Sequence, residues 1–234
     1  MNVLLMDRRP EPELMNTKDQ VDSYSEADFS KGEIKFIRLI KNYLKKNNIL
    51  ITPNDLIVDL GCGPGNISEK LSKEWPNTSV LGIDGSKEMI HKANIRKNLQ
   101  EKPLNNLNYL CEDIKNIKLV DISDKKYIKL LVSNSLIHHI THINEFFECI
   151  LSLSSENTLN FHKDLIRPIN EEYALELKAE CASKYNETLT NDYYASLQAS
   201  YRVDEFRKLI ADKNLVYLDV LEEDNKYLIV YGTV

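Results

Sequence analysis

Val58-Asp59-Leu60-Gly61-Cys62-Gly63-Pro64-Gly65-Asn66 is the stretch on which the fold turns. A short apolar run over residues 56–60 ends in glycines, and helical spacing begins directly behind them over residues 67–75, with Asn66 as N-cap and Glu69 three residues later. A strand, a tight glycine turn and a helix start, in that order, bring bare backbone against a ligand, because glycine has no Cβ to hold it off. In an open α/β sheet such a loop lies outside the carboxyl ends of the strands, where ligands bind.

Downstream, the pattern alternates. Strands are expected at residues 79–84, 107–111, 127–133 and 158–163, with helices at 86–98, 144–153, 171–184 and 203–211 between or after them. Residues 216–221 and 227–231 read as a closing antiparallel pair joined by the polar turn 222–226. Upstream, residues 8–29 are polar, extended near Pro10 and Pro12 and helical later. Ser30-Lys31-Gly32-Glu33 has capping-box spacing, and Ile34, Ile37, Ile40 and Leu44 carry an amphipathic helix to about Lys46. The fold class that follows is α/β: a Rossmann-like, doubly wound, mostly parallel sheet with helices on both faces and a C-terminal antiparallel hairpin. We expect a lid segment and helix over residues 1–46, then a single domain over 47–234 with a substrate-cover insertion at about 168–200.

The glycine spacing is G-x-G-x-G, not the G-x-G-x-x-G of dinucleotide loops, and Asp59 stands two residues before the first glycine. A pyrophosphate wants free N–H groups and little negative charge nearby. An adenosyl amino acid has no phosphate, and its ammonium welcomes a carboxylate. The loop therefore favours S-adenosylmethionine over NAD. Asp84 ends the second strand, where a carboxylate can take both ribose hydroxyls. Cys111-Glu112-Asp113-Ile114 ends the third, with Asp113 suited to an adenine amino group and Ile114 to packing the ring.

These segments carry a family resemblance. VDLGCGPGN, GIDGS and CEDI resemble motifs I to III of class I S-adenosylmethionine-dependent methyltransferases, and LLVSNSLIHHI resembles their motif IV. The resemblance covers about residues 35–234 and is strongest to small bacterial enzymes grouped as methyltransferase type 11 or 12. Residues 10–15 (PEPELM), 164–168 (DLIRP) and 193–197 resemble a bacterial branch, without naming its substrate. It implies methyl transfer from S-adenosylmethionine, leaving S-adenosylhomocysteine. It sets the cofactor against Asp59, Gly61, Cys62, Gly63 and Asn66 of the first motif, and Asp84, Gly85 and Ser86 of the second. Glu112, Asp113 and Ile114 follow from the third motif, Ser133 and Asn134 from the fourth, and Tyr24 from the lid.

In that family the tip of the fourth strand borders the transferred methyl group, and the acceptor is expected between the tips of the fourth and fifth strands. His138 and His139 are then the candidate base or acceptor ligands, with at most one facing the pocket. The plain alternative is that one packs under the sheet and the other caps a turn. His162, Lys163, Asp164 and Arg167 share the same edge, and Arg167 suits a carboxylate or phosphate. Tyr173, Tyr185, Tyr193 and Tyr194 lie in the insertion, as substrate cover or as ordinary helix packing.

Composition narrows the partner. The 234 residues carry a net charge of −6 and are 42% hydrophobic, enough for one large domain. An acidic chain is poorly suited to gripping a long nucleic acid, and neither an N/D-P-P-Y run nor a Pro-Cys pair for base methylation is present. A small polar metabolite is the expected acceptor; RNA or protein methylation, or a non-catalytic scaffold, are the alternatives. Cys62, Cys111, Cys149 and Cys181 are scattered, so no metal set is expected. Residues 1–6 are a short apolar run followed at once by charges, and no stretch nears the roughly 20 apolar residues of a membrane span. We expect a cytoplasmic, reduced chain.

Overall fold

Every residue of β1 (Asp55–Leu60) beyond the first is buried, because the strand lies inside a sheet covered on both faces. Leu56, Val58 and Leu60 join one core cluster and Ile57 the other, following the period-two alternation of a strand. The computed structural model describes residues 5–11, 15–117, 122 and 127–234, so Pro12 and the centre of the 10–15 segment lie outside the described residues.

β1 is joined by β2 (Ser79–Asp84), β3 (Leu107–Cys111), β4 (Tyr127–Asn134), β5 (Leu159–Leu165), β6 (Leu218–Glu223) and β7 (Tyr227–Thr233). The spatial order is β3-β2-β1-β4-β5-β7-β6. The first five strands are parallel, and β7 runs antiparallel to both β5 and β6. The closing pair is thus the expected one, with its later strand inserted against β5. Strand order reverses between β1 and β4, and a crevice opens there at the carboxyl ends.

The helices are α1 (Lys18–Glu26), α2 (Ser30–Lys46), α3 (Asn66–Glu74), α4 (Lys87–Asn98), α5 (Ile143–Leu153), α6 (Glu171–Ala182), α7 (Glu187–Ala199) and α8 (Val203–Asp212). Phe36, Ile40 and Leu71 from α2 and α3 cover one face of the sheet; Phe146, Phe147 and Phe206 from α5 and α8 cover the other. Burying each such side chain contributes about 1.5–3 kcal/mol.

Three local expectations are corrected. The insertion holds two helices, not one, because Asn186 opens a second by accepting the N–H of Leu189 at 2.9 Å, as Asn170 does for Tyr173. α2 starts at Ser30, but Glu33 does not close a capping box; its carboxylate accepts from Asn66 and Lys70 instead. β5 runs on to Leu165, so Lys163 and Asp164 are strand residues that point to opposite faces.

Arg167 is also corrected. Its side chain is buried away from the crevice and ties the N-terminal strap to the domain. Nε donates to the Met6 carbonyl at 2.9 Å, Nη1 to the Ser200 carbonyl at 2.8 Å, and Nη2 to Glu205. Strap and domain are further joined by Met6 N–H to the Ile169 carbonyl and Arg9 N–H to the Gln198 carbonyl, both at 3.0 Å. The guanidinium of Arg8 lies 4.1 Å over the Tyr201 ring. Arg167→Ala takes the side-chain donor from the Ser200 carbonyl and leaves the Met6 carbonyl only that of Arg202, and should lower stability by about 1–3 kcal/mol in denaturant unfolding. An unchanged midpoint would overturn this structural role.

Candidate active site

The glycine loop closes on itself and on β2. Gly61, Gly63 and Gly65 all have positive φ, at 62°, 52° and 87°. A Cβ on Gly61 would stand 2.6 Å from Leu136 Cδ1, so only glycine lets the loop after β1 touch the turn after β4. A Cβ on Gly63 would meet nothing nearer than Tyr24 Cε1 at 3.9 Å; this backbone faces open space. Asp84 fixes the loop from β2, its two carboxylate oxygens accepting Gly63 N–H and Ser86 N–H, each at 2.8 Å.

The space in front of the loop is a cavity of about 930 Å³, near the upper end of the usual range for small-molecule sites. Its loop end is acidic. Asp59 is 1% exposed and accepts the Ser68 hydroxyl at 2.6 Å; burial pushes its carboxyl up to about 7. Burial also raises Asp84, against the two backbone N–H groups that favour its charge. Glu33 completes the trio, accepting Asn66 Nδ2 at 2.7 Å and Lys70 Nζ at 2.6 Å. The Asn66 side-chain oxygen is buried with no protein donor. Tyr24 hangs over this end from α1, its ring 4.9 Å from that of Phe29. Burial, then the charges of Glu33, Asp84 and Asp59, hold its phenol in the neutral form.

Most residues expected at the cofactor do meet in this cavity. Tyr24, Asp59, the loop glycines Gly61 and Gly63, Cys62 and Asn66 line one side. Asp84, Gly85, Ser86, Asp113, Ile114 and Asn134 line the next. Burial raises the Cys62 thiol well above its ordinary range, so it serves as a small filler. Two residues do not reach the cavity. Ser133 is fully buried and bonds His162 Nδ1 at 3.0 Å, and Glu112 is turned back on Asp113 N–H and Asn116. The three carboxylates, two of them buried, the donorless Asn66 oxygen and the bare Gly63 backbone fit a cationic adenosyl amino acid, and they oppose a pyrophosphate.

The far end is built by the turn after β4. Ser135 takes φ 58°, costly for a residue with a Cβ, and its N–H is held by the Lys163 carbonyl at 2.9 Å. That reversal starts a single 3-10 turn over Ile137–His139 and brings both histidines to the cavity, where at most one was expected. His138 is buried, with Nδ1 on Asp164 and its N–H on the same carboxylate at 3.1 Å. Burial disfavours its charged form, but Asp164 and then Glu11 outweigh this and raise its pKa. His139 Nδ1 lies 3.3 Å from Glu11, whose carboxyl burial pushes up to about 7. His162 is corrected: it faces the other side of β5 against Phe146, and burial lowers it to about 3.

Lys163 takes the place imagined for Arg167. It is 4% exposed, lines the cavity, and sits 3.7 Å over the Tyr227 ring. Burial lowers its pKa to about 8. Among the described residues no carboxylate comes within ion-pair distance of its ammonium. Glu11 belongs to the PEPELM segment and Glu33 to the capping-box spacing, neither of which points to the cavity; only the docking of strap and α2 brings them to it.

Residues 51–199 match the family model described as methyltransferase domain. Trans-aconitate 2-methyltransferase of Rhodopseudomonas palustris is 50% identical over 40 residues, 17% of this chain and 16% of that one. Malonyl-[acyl-carrier protein] O-methyltransferase of Bacillus cereus is 29% identical over 89 residues, 38% of this chain and 29% of that one. The matched stretches therefore span under a third of either relative's length. Among solved structures, the plantazolicin methyltransferase BpumL in complex with a pentazolic desmethylPZN analog and SAH superposes with a TM-score of 0.69 at 18% identity, covering 92% of this chain and 91% of that one. A SAM dependent methyltransferase from Aquifex aeolicus gives 0.65 at 15% identity, covering 92% and 97%. The chain belongs to the methyltransferase domain family, whose methyl donor is S-adenosylmethionine.

A raised carboxyl predicts the pH behaviour of the loop end. Asp59 takes up a proton as pH falls through about 7 and can then no longer face an ammonium. Calorimetric titration with S-adenosylhomocysteine should show affinity flat above pH 8 and weakening by up to tenfold per unit below about 7. Asp59→Asn should weaken binding at pH 8 and flatten the profile. A wild-type profile already flat between pH 6 and 8 would remove Asp59 from the ligand.

Proposed function

We propose that this protein transfers the methyl group of S-adenosylmethionine to an oxygen of a small acceptor that carries a negative charge, such as a carboxylic acid. The observation that carries this reading is Lys163: a buried ammonium that lines the cavity over the Tyr227 ring, with no described carboxylate within ion-pair distance. Such an ammonium is costly unless an anion completes it. Two curated relatives are named for acidic acceptors, aconitate and a malonyl group, which supports the same chemistry.

When bound, S-adenosylmethionine supplies a methyl group already activated on a sulfonium. The residues of this chain then have to hold, align and dry the reactants. Asp59 and Asn66 suit the amino-acid end, Asp84 the ribose, and Asp113 with Ile114 the adenine. Tyr24 and α1 close the cavity against water, and Lys163 turns the acceptor's anionic group toward the tips of β4 and β5. Alignment and water exclusion supply much of the acceleration of such a displacement. A carboxylate acceptor is already a nucleophile, so no residue need remove a proton from it.

Small carboxylic acids screened with methyl-labelled cofactor should include an acceptor whose KM rises above pH about 8, as Lys163 loses its proton. Lys163→Met should raise that KM at least tenfold, about 1.4 kcal/mol, and leave S-adenosylhomocysteine affinity in place. Label found only on RNA or protein, or an unchanged KM in Lys163→Met, would overturn the reading.

A further inference from the structure

Glu11, His138 and His139 come from two distant parts of the chain and converge at the rim of the cavity. Their ligand-type atoms all lie within 4.8 Å of one another. Glu11 Oε1 stands 3.5 Å from His138 Nε2 and 3.3 Å from His139 Nδ1. Two atoms bound tetrahedrally to one zinc ion at 2.0–2.2 Å are about 3.3–3.6 Å apart, so both separations are those of neighbouring ligands around a common centre. The two rings are 4.3 Å apart and tilted by 37°, both turned to the same carboxylate oxygen.

The surroundings have the form of a metal site's support. His138 gives its other ring nitrogen, Nδ1, to the buried carboxylate of Asp164, the arrangement that fixes the tautomer and aim of a metal-binding imidazole. Asp164 also accepts the His138 backbone N–H at 3.1 Å, so ring and backbone are held by one group. Glu11 accepts the Ser196 hydroxyl at 3.2 Å and is anchored by the strap beside it, where Arg9 N–H meets the Gln198 carbonyl. All three ligand residues border the cavity, so a fourth coordination position would open onto it. Two imidazoles and a carboxylate with one open position form a zinc ligand set.

We propose that Glu11, His138 and His139 bind a divalent transition metal of the zinc class, with Asp164 orienting His138 and the open position facing the acceptor. The metal site stands on its own geometry; its role, to hold an oxygen of the anionic acceptor beside Lys163, rests on the function proposed above. Binding would also fasten the strap over the cavity, since Glu11 is the ligand that the strap carries.

The full-length chain, stripped with chelator and titrated with Zn²⁺ in the absence of cofactor and acceptor, should take up one equivalent. Co²⁺ in its place should give the intense visible absorption of a four- or five-coordinate nitrogen–oxygen site. Glu11→Gln and His139→Ala, both at the rim of the cavity, should each weaken Zn²⁺ binding at least a hundredfold and abolish the cobalt bands. His91→Ala, an exposed residue of α4, should change neither. Substoichiometric zinc, or Glu11→Gln and His139→Ala proteins that bind it as the wild type does, would overturn the site. The two proposals fail separately. A metal-free chain that methylates an acid at full rate removes the metal from the reaction, whereas a zinc-loaded chain that binds S-adenosylhomocysteine but methylates no acid overturns the function and leaves the site.

Discussion

The carboxylate of Asp84 accepts two backbone N–H groups, from Gly63 in the turn after β1 and from Ser86 in the turn after β2. Each βα turn would otherwise present unsatisfied donors at the mouth of the sheet, and a single acid joins them into one rigid rim. The loop can then approach the turn after β4, a contact that depends on Gly61 lacking a Cβ beside Leu136. From that junction the chain reverses at Ser135 and carries His138 and His139 to the cavity. The glycine loop and the histidine turn are therefore mechanically one unit, set by the same few atoms at the switch point between β1 and β4.

Charged groups of both signs line the cavity. Glu33, Asp59 and Asp84 crowd the loop end, and burial drives Asp59 toward its neutral form whenever no cation is present. Burial drives Lys163 toward the free amine. Each is a desolvated group, and a ligand of the other sign would offset the cost of burying it. The family's donor is a cation, and the proposed anionic acceptor would complete the pairing.

Much of this was legible in the residues before any folding. The glycine loop, the strand-end acids Asp84 and Asp113, and the alternating apolar segments are local signals, readable because backbone geometry and side-chain period are local properties. The histidine pair was visible as well, but its partners were not. Asp164 and Lys163 are adjacent in sequence, yet β5 sends one beneath the sheet's edge to His138 and the other into the cavity, and only the strand's true end at Leu165 makes that alternation plain. Arg167 looked like an anion ligand because it is cationic and follows a strand; its donors instead satisfy carbonyls of the strap and of Ser200.

By itself, then, the amino-acid order determined the sheet, the glycine turn at its mouth and the family to which they belong, since all three follow from short-range pattern and from glycine's steric freedom. Tertiary structure alone decided which charges share the cavity. Glu11 and Glu33 reach it because a strap and a helix from outside the recognised motifs dock across the strand tips. A carboxylate's role depends on what it faces after burial, and no spacing rule connects Glu11 with His138 and His139 until the chain has closed on itself.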